Sequence, residues 1–454
     1  MDRLRDLIGF LKDAADVAEE RLEAVLEDHT SAKLDADRAT SRSEDLLEHD
    51  PAELAESVAA VEAIIVEALA ARASDVHFEN EQNRVRVRIR VDGDLRVLPG
   101  HEVDKRQLDR IVRVLKVKSG MDISEHRRAQ GGQFDTLVGG KKWFVRAQSQ
   151  PTVRGENVIL RLLPDGSALQ SISSLGFSEF AEVRYRRLLA NPGGLILVVG
   201  PTGSGKTTTL YSGLKELAVD ESRKVISIED PVEFGCEGIQ QVEVMREANF
   251  SFADAMRAFV RQDPDVILLG EIRDSETALE AIRASQTGHL VLSTLHCNDA
   301  VDAVQRLLDL GMHANSISSE LLAVFAQRLA KRICEDCREA CEPNEAVAEE
   351  VFPDGVPEDF ECFRGRGCES CDGTGYYGRI AVVEYLPVDP QLRNVIAQGS
   401  TLEDLRAAAR ASGIVSLRER SLELVKNGTI AFESLPRFIP IDRLVAPGAN
   451  GNRD

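Results

Sequence analysis

The sequence predicts an α/β protein in which a smaller N-terminal α/β domain precedes a mostly parallel, helix-covered sheet. Three observations predict it. Short apolar runs at 195–199, 225–228, 266–269 and 290–292 alternate with helical stretches, the pattern of parallel strands buried on both faces. The first run leads into Gly200-Pro201-Thr202-Gly203-Ser204-Gly205-Lys206-Thr207, a glycine-rich turn that opens a helix. Two Cys-x-x-Cys pairs, Cys334/Cys337 and Cys368/Cys371, then mark a small lobe before a helical C-terminal region.

At 454 residues the chain is long enough for two to four domains of roughly 150 residues each. With 43% apolar and 29% charged residues it has ordinary globular composition, so most of it is expected to fold. A net charge of -21 argues against bulk attraction to nucleic acid or anionic lipid, and no direct nucleic-acid partner is expected. No run of roughly 18 apolar residues and no signal-peptide core occurs, so the expectation is a cytoplasmic protein that meets a membrane only through partners. Eight cysteines without an export signal suggest metal rather than disulfides.

Residues 1–50 hold 15 acidic and 7 basic side chains, with apolar residues at helical spacing, and are expected to be an acidic amphipathic helix and linker. An α/β domain is expected over 51–165. It has a helix near 61–70, a strand where Val85, Val87, Ile89 and Val91 alternate, a turn at Asp92-Gly93, and strands at 143–147 and 158–163. A hinge is expected at 164–167, the main sheet over 170–330, the cysteine lobe over 331–380, helices over 381–440 and a disordered tail over 441–454.

The chemistry begins at the glycine-rich turn. Gly200, Gly203 and Gly205 allow the backbone N–H groups to wrap a polyphosphate, and the helix that follows adds its positive N-terminal end. Lys206 is placed to reach the outer phosphates and Thr207 to hold Mg²⁺, so the expected ligands are ATP and Mg²⁺, with Thr208 completing the loop. An acid is expected at a neighbouring strand end, and Glu271 follows the 266–269 run. Hydrolysis needs a group that deprotonates water. Glu233 is chosen from the acids 229–233, with Glu229 second. His296 follows the 290–292 run and would face the nucleotide.

Each Cys-x-x-Cys pair aims two sulfurs at one tetrahedral ion, so Cys334, Cys337, Cys368 and Cys371 are expected to hold structural zinc. Cys236, Cys297, Cys341 and Cys362 read as ordinary thiols.

Together, the glycine-rich loop, Ile-Glu-Asp-Pro-Val-Glu (228–233), Arg-Gln-Asp-Pro-Asp-Val-Ile-Leu-Leu-Gly-Glu-Ile-Arg-Asp (261–274), Thr-Gly-His-Leu-Val-Leu-Ser-Thr-Leu-His (287–296) and the tetracysteine segment carry a resemblance. They resemble the secretion ATPases of type II secretion and type IV pilus assembly, the general secretion pathway protein E family, from about residue 55 to about 430. The resemblance implies a RecA-like P-loop ATPase domain with nucleotide between it and the smaller domain, in a homo-hexameric ring. Domain rotation in that ring would act on inner-membrane platform and docking proteins. It also implies phosphate-clamping roles for Arg146, Arg161, Arg257, Arg261 and Arg273, and a position near nucleotide for Arg379. The tetracysteine resembles assembly and secretion motors rather than retraction motors, which lack it. The chain departs from the family at Ala129-Gln130-Gly131-Gly132-Gln133, where Pro-Gln-Asp-Gly-Arg is common, and in its first 50 residues, where members carry a globular docking domain. A nucleotide-gated scaffold and a nucleic-acid translocase are the competing function classes, the second disfavoured by the acidic charge.

Overall fold

The computed structural model describes residues 51–82, 84–164, 170–245 and 248–445. The acidic segment 1–50, the hinge beyond 164 and the tail from 446 lie outside the described residues. The chain divides into two compact units, one ending at Asp165 and the other beginning at Gly166.

The first unit is an antiparallel sheet of six strands: β1 (Ala73–Asn80), β2 (Val85–Val91), β3 (Asp94–Val97), β4 (Gln130–Val138), β5 (Lys141–Thr152) and β6 (Gly155–Pro164). Their order is β3-β2-β1-β6-β5-β4. The alternation seen in the sequence explains β2: Val87 and Ile89 are buried, while Arg86, Arg88 and Arg90 take the other face. Two helices, Pro51–Ala70 and Lys105–Lys118, close the apolar face. The second begins at Asp104, whose carboxylate accepts from the Gln107 N–H at 2.8 Å, and it buries Leu108, Ile111, Val112 and Leu115 along one stripe.

The second unit is built on seven strands: β7 (Gly194–Val199), β8 (Val225–Glu229), β9 (Ile239–Glu243), β10 (Val266–Leu269), β11 (Leu290–Leu295), β12 (Leu321–Ile333) and β15 (Tyr376–Pro387). The order is β15-β12-β7-β11-β10-β8-β9, parallel throughout except where β15 runs against β12. Along β7, Leu195, Leu197 and Val199 join one apolar cluster and Ile196 and Val198 the other, so both faces are covered. The parallel sheet was expected; β9, β12 and β15 were not.

Two expected boundaries move. Residues 330/331 fall inside β12 and 380/381 inside β15, because these strands pair with each other along nearly their whole length. The cysteine lobe is thus an insertion between two strands of the main sheet, with its own two-stranded ladder of β13 (Arg338–Cys341) and β14 (Cys362–Gly365). The expected disordered tail also starts too early at 441. A helical turn, Ile441–Leu444, is held there by buried Leu444 and by Arg443, which pairs with Asp299 at 3.0 Å.

Candidate functional site

The glycine-rich loop leaves the carboxyl end of β7 and turns at Gly200, Gly203 and Gly205, all with positive φ. Two of these glycines are also forced by crowding. A Cβ on Gly200 would lie 2.4 Å from the Gln327 carbonyl oxygen, and one on Gly205 would lie 2.7 Å from the Gln327 amide nitrogen. Gly205 caps the helix Lys206–Ala218, directing that helix's positive end into the loop. Lys206 donates to the carbonyls of Gly200 and Pro201, each at 3.0 Å. Burial pushes its pKa below the ordinary lysine value, opposed by the nearby Glu271 carboxylate. Within the loop Pro201, Thr202 and Gly203 are exposed and Ser204 is buried; Thr207 and Thr208, in the first helical turn, are half-buried.

Gln327, on β12, was missed by sequence reasoning. Its buried side chain donates to the Ser204 carbonyl at 2.8 Å and accepts from the Thr209 hydroxyl at 2.7 Å, clasping the loop to the helix behind it. Next to it Arg328, also buried, donates to the Asn298 carbonyl at 2.8 Å and so ties down the segment that follows His296. No local signal marks either residue, since the partners are 30 to 123 positions away in sequence.

Glu271 and His296 follow β10 and β11, which are adjacent parallel strands. The strands bring His296 Nε2 to 3.5 Å from one Glu271 oxygen, while Arg273 binds the other oxygen and lies 3.8 Å from Asp230. Glu233, after β8, is half-buried and contributes with Glu271 to the field at Lys206. Glu229 is a different kind of acid. It is buried, accepts from the Tyr211 hydroxyl at 2.6 Å and the Ser227 hydroxyl at 2.7 Å, and has its pKa raised by that burial. Its oxygens are engaged inside the fold.

The candidate arginines divide. Arg273 stands in the acidic cluster just described. Arg257 is held by Asp254 at 2.6 Å and Glu276 at 2.9 Å, and Arg261 donates to the Arg257 carbonyl. Arg379 is exposed on β15, directly opposite Lys331. Arg146 and Arg161 belong to the first unit, where they are cross-strand partners on β5 and β6. Arg161 also pairs with Asp75 at 3.1 Å.

In the lobe, Cys334, Cys337, Cys368 and Cys371 place their sulfurs within 4.8 Å of one another. Three separations are 3.8, 3.9 and 3.7 Å. Zinc–sulfur bonds of about 2.3 Å in a tetrahedron require sulfurs about 3.8 Å apart, so the four thiols fit that ion. Burial opposes the Cys371 thiolate, but the N–H groups of Cys368 and Gly375, each 3.2 Å from its sulfur, together with the neighbouring Cys368 and Cys337 thiols, bring its pKa down.

Over residues 50–437 the chain matches the family described as Type II/IV secretion system protein. It belongs to that family. This secretion-family ATPase is 40% identical to the type IV pilus assembly ATPase PilB of Thermus thermophilus over 388 residues, 85% of this chain but only 43% of that relative. It is likewise 40% identical to the type II secretion system ATPase E of Vibrio cholerae over 400 residues, 87% of this chain and 77% of the relative. Among solved structures, the pilus retraction motor PilT with bound ADP is 28% identical, with a TM-score of 0.58 over 82% of this chain and 94% of its own. The ATPase DotB of Legionella pneumophila, 18% identical with a TM-score of 0.62 over 83% of this chain and 95% of its own, shares the fold.

Proposed function

We propose that this secretion-family ATPase is a cytoplasmic motor that hydrolyses ATP, as a homo-hexamer, to drive assembly of a type II secretion pseudopilus or a type IV pilus through platform and docking proteins at the inner membrane. The observation that carries the reading is the gathering of Lys206, Glu233, Glu271 and His296 at the carboxyl ends of neighbouring parallel strands.

The loop from Gly200 to Thr208 holds the polyphosphate through its N–H groups, and Lys206 neutralises its outer charge. Mg²⁺, held by Thr207 and, through water, by Glu271, would supply charge neutralisation between the outer phosphates. Glu233 takes the proton of the attacking water, Glu229 being engaged elsewhere. His296 reads the outer phosphate against Glu271. Arg257, Arg261, Arg273 and Arg379 supply further positive charge to the phosphates. Zinc in the four-cysteine lobe is structural.

Steady-state phosphate release by the purified protein, set beside Lys206→Ala and Glu271→Ala, tests the reading. Each substitution should lower turnover by about 100-fold or more, the scale of losing a fixed transition-state contact. Equal rates in all three proteins would remove the proposal.

A further inference from the structure

Two thiols beside the four-sulfur cluster are not part of it. Cys341 closes β13, Cys362 opens β14, and the two are direct cross-strand partners. Their sulfurs lie 3.7 Å apart, and the Cys362 thiol donates to the Cys341 carbonyl oxygen at 3.2 Å. Neither belongs to the group formed by Cys334, Cys337, Cys368 and Cys371. Opposed residues of an antiparallel pair have Cα atoms about 4.5–5.5 Å apart, within the range of about 4.4–6.8 Å that a disulfide spans. Bond formation therefore asks for side-chain rotation and little backbone movement.

We propose that Cys341 and Cys362 form a modification site, a thiol pair that a small-molecule disulfide converts to an intrachain cystine while the four-cysteine cluster keeps its metal. Entry is through Cys341, which is half-buried, whereas Cys362 is only 2% exposed. The Cys341 thiolate attacks one sulfur of oxidised glutathione. That S–S bond breaks, a protein–glutathione S–S bond forms, and one glutathione leaves and takes up a proton. Cys362 then gives its proton to water and attacks the Cys341 sulfur, expelling the second glutathione. Two protein thiols are oxidised and one glutathione disulfide is reduced to two thiols, with no further reagent. Burial raises the Cys362 pKa, which slows the second displacement.

The location of the bond gives its effect. Cys341 and Cys362 pack against an apolar cluster that includes Phe352, Phe360, Phe432 and Val425, where the lobe meets the C-terminal helices. A bond there closes residues 342–361 into a loop and restricts the unfolded lobe. The lobe would then have a second staple that does not depend on metal.

The test treats the zinc-loaded full-length protein with excess oxidised glutathione, maps its peptides without reduction, and counts zinc by elemental analysis. The expected result is a loss of about 2 Da per chain, one cross-linked peptide pair joining Cys341 to Cys362, and an unchanged zinc count. Cys341→Ser should leave Cys362 unmodified, and Cys362→Ser should stop at a glutathione adduct of about 305 Da on Cys341. A cross-link from either residue to a cluster cysteine, zinc loss on oxidation, or an unchanged thiol count would overturn the proposal. Peptide mapping of the unsubstituted protein decides between these outcomes even if the Cys362 variant fails to fold.

Discussion

Glu384 is a buried carboxyl group that joins two helices of the second unit. It lies on β15, 6% exposed, and its two oxygens accept from the N–H groups of Ala300 at 2.8 Å and Leu417 at 3.2 Å. Each donor opens a helix, so one carboxyl group joins a helix of the parallel sheet to a C-terminal helix. Burial raises its pKa to about 7 from an ordinary value of 4.5, and nearby Asp299 adds to the shift. Between those values the folded protein keeps a proton that the unfolded chain has lost. The contribution is therefore full below pH 4.5 and is lost as pH rises through 7. Glu384→Gln removes the titration. Relative to this variant, the natural protein should lose roughly 3 kcal/mol of unfolding free energy between about pH 4.5 and pH 8. Denaturant titrations at several pH values measure the difference, and a gap that stays constant across the range would reject the argument.

At the scale of elements, β12 does the most to shape the site. It lies between β7 and β15, holds the phosphate loop through Gln327 and the segment after His296 through Arg328, and ends at the first cluster cysteine. Gln327→Leu would keep the volume but leave the Ser204 carbonyl and Thr209 hydroxyl unpaired in a buried place, at about 1–3 kcal/mol for each group. The expected consequence is a fall of about 10- to 100-fold in kcat/KM, mostly through a higher KM for ATP. An unchanged KM would mean that the loop holds its form without this clasp. The same strand marks where sequence reading ran out. β7, β8, β10 and β11 were legible because strands buried on both faces are continuous apolar runs, and Glu271 and His296 were legible because they follow such runs. β12 opens with Leu321-Leu322-Ala323-Val324-Phe325-Ala326, which periodicity cannot separate from a buried helix, and Gln327, Arg328, Lys331 and Arg332 then break the run. β9 is an edge strand, Ile-Gln-Gln-Val-Glu, with no buried side chain to give it a pattern. The Cys341–Cys362 contact depends on the β13–β14 register, which local spacing does not encode. The glycine-rich loop and the four clustered cysteines could be read because their chemistry is written in adjacent residues.

At the scale of the whole molecule, each unit has an apolar core of its own. The chain's one tryptophan, Trp143, lies on β5 of the first unit, and all four cluster cysteines lie in the second. Tryptophan fluorescence therefore follows only the first unit, whereas far-ultraviolet circular dichroism follows both. Structural zinc contributes about 10–16 kcal/mol in isolated zinc peptides, and zinc held by these four thiols would act on a lobe inserted between β12 and β15. A strong chelator should lower the midpoint of the circular-dichroism transition that belongs to the second unit and leave the Trp143 transition where it was. A Trp143 midpoint that falls in step with metal loss would show the units unfolding as one, and the separate cores would then not be separate sources of stability.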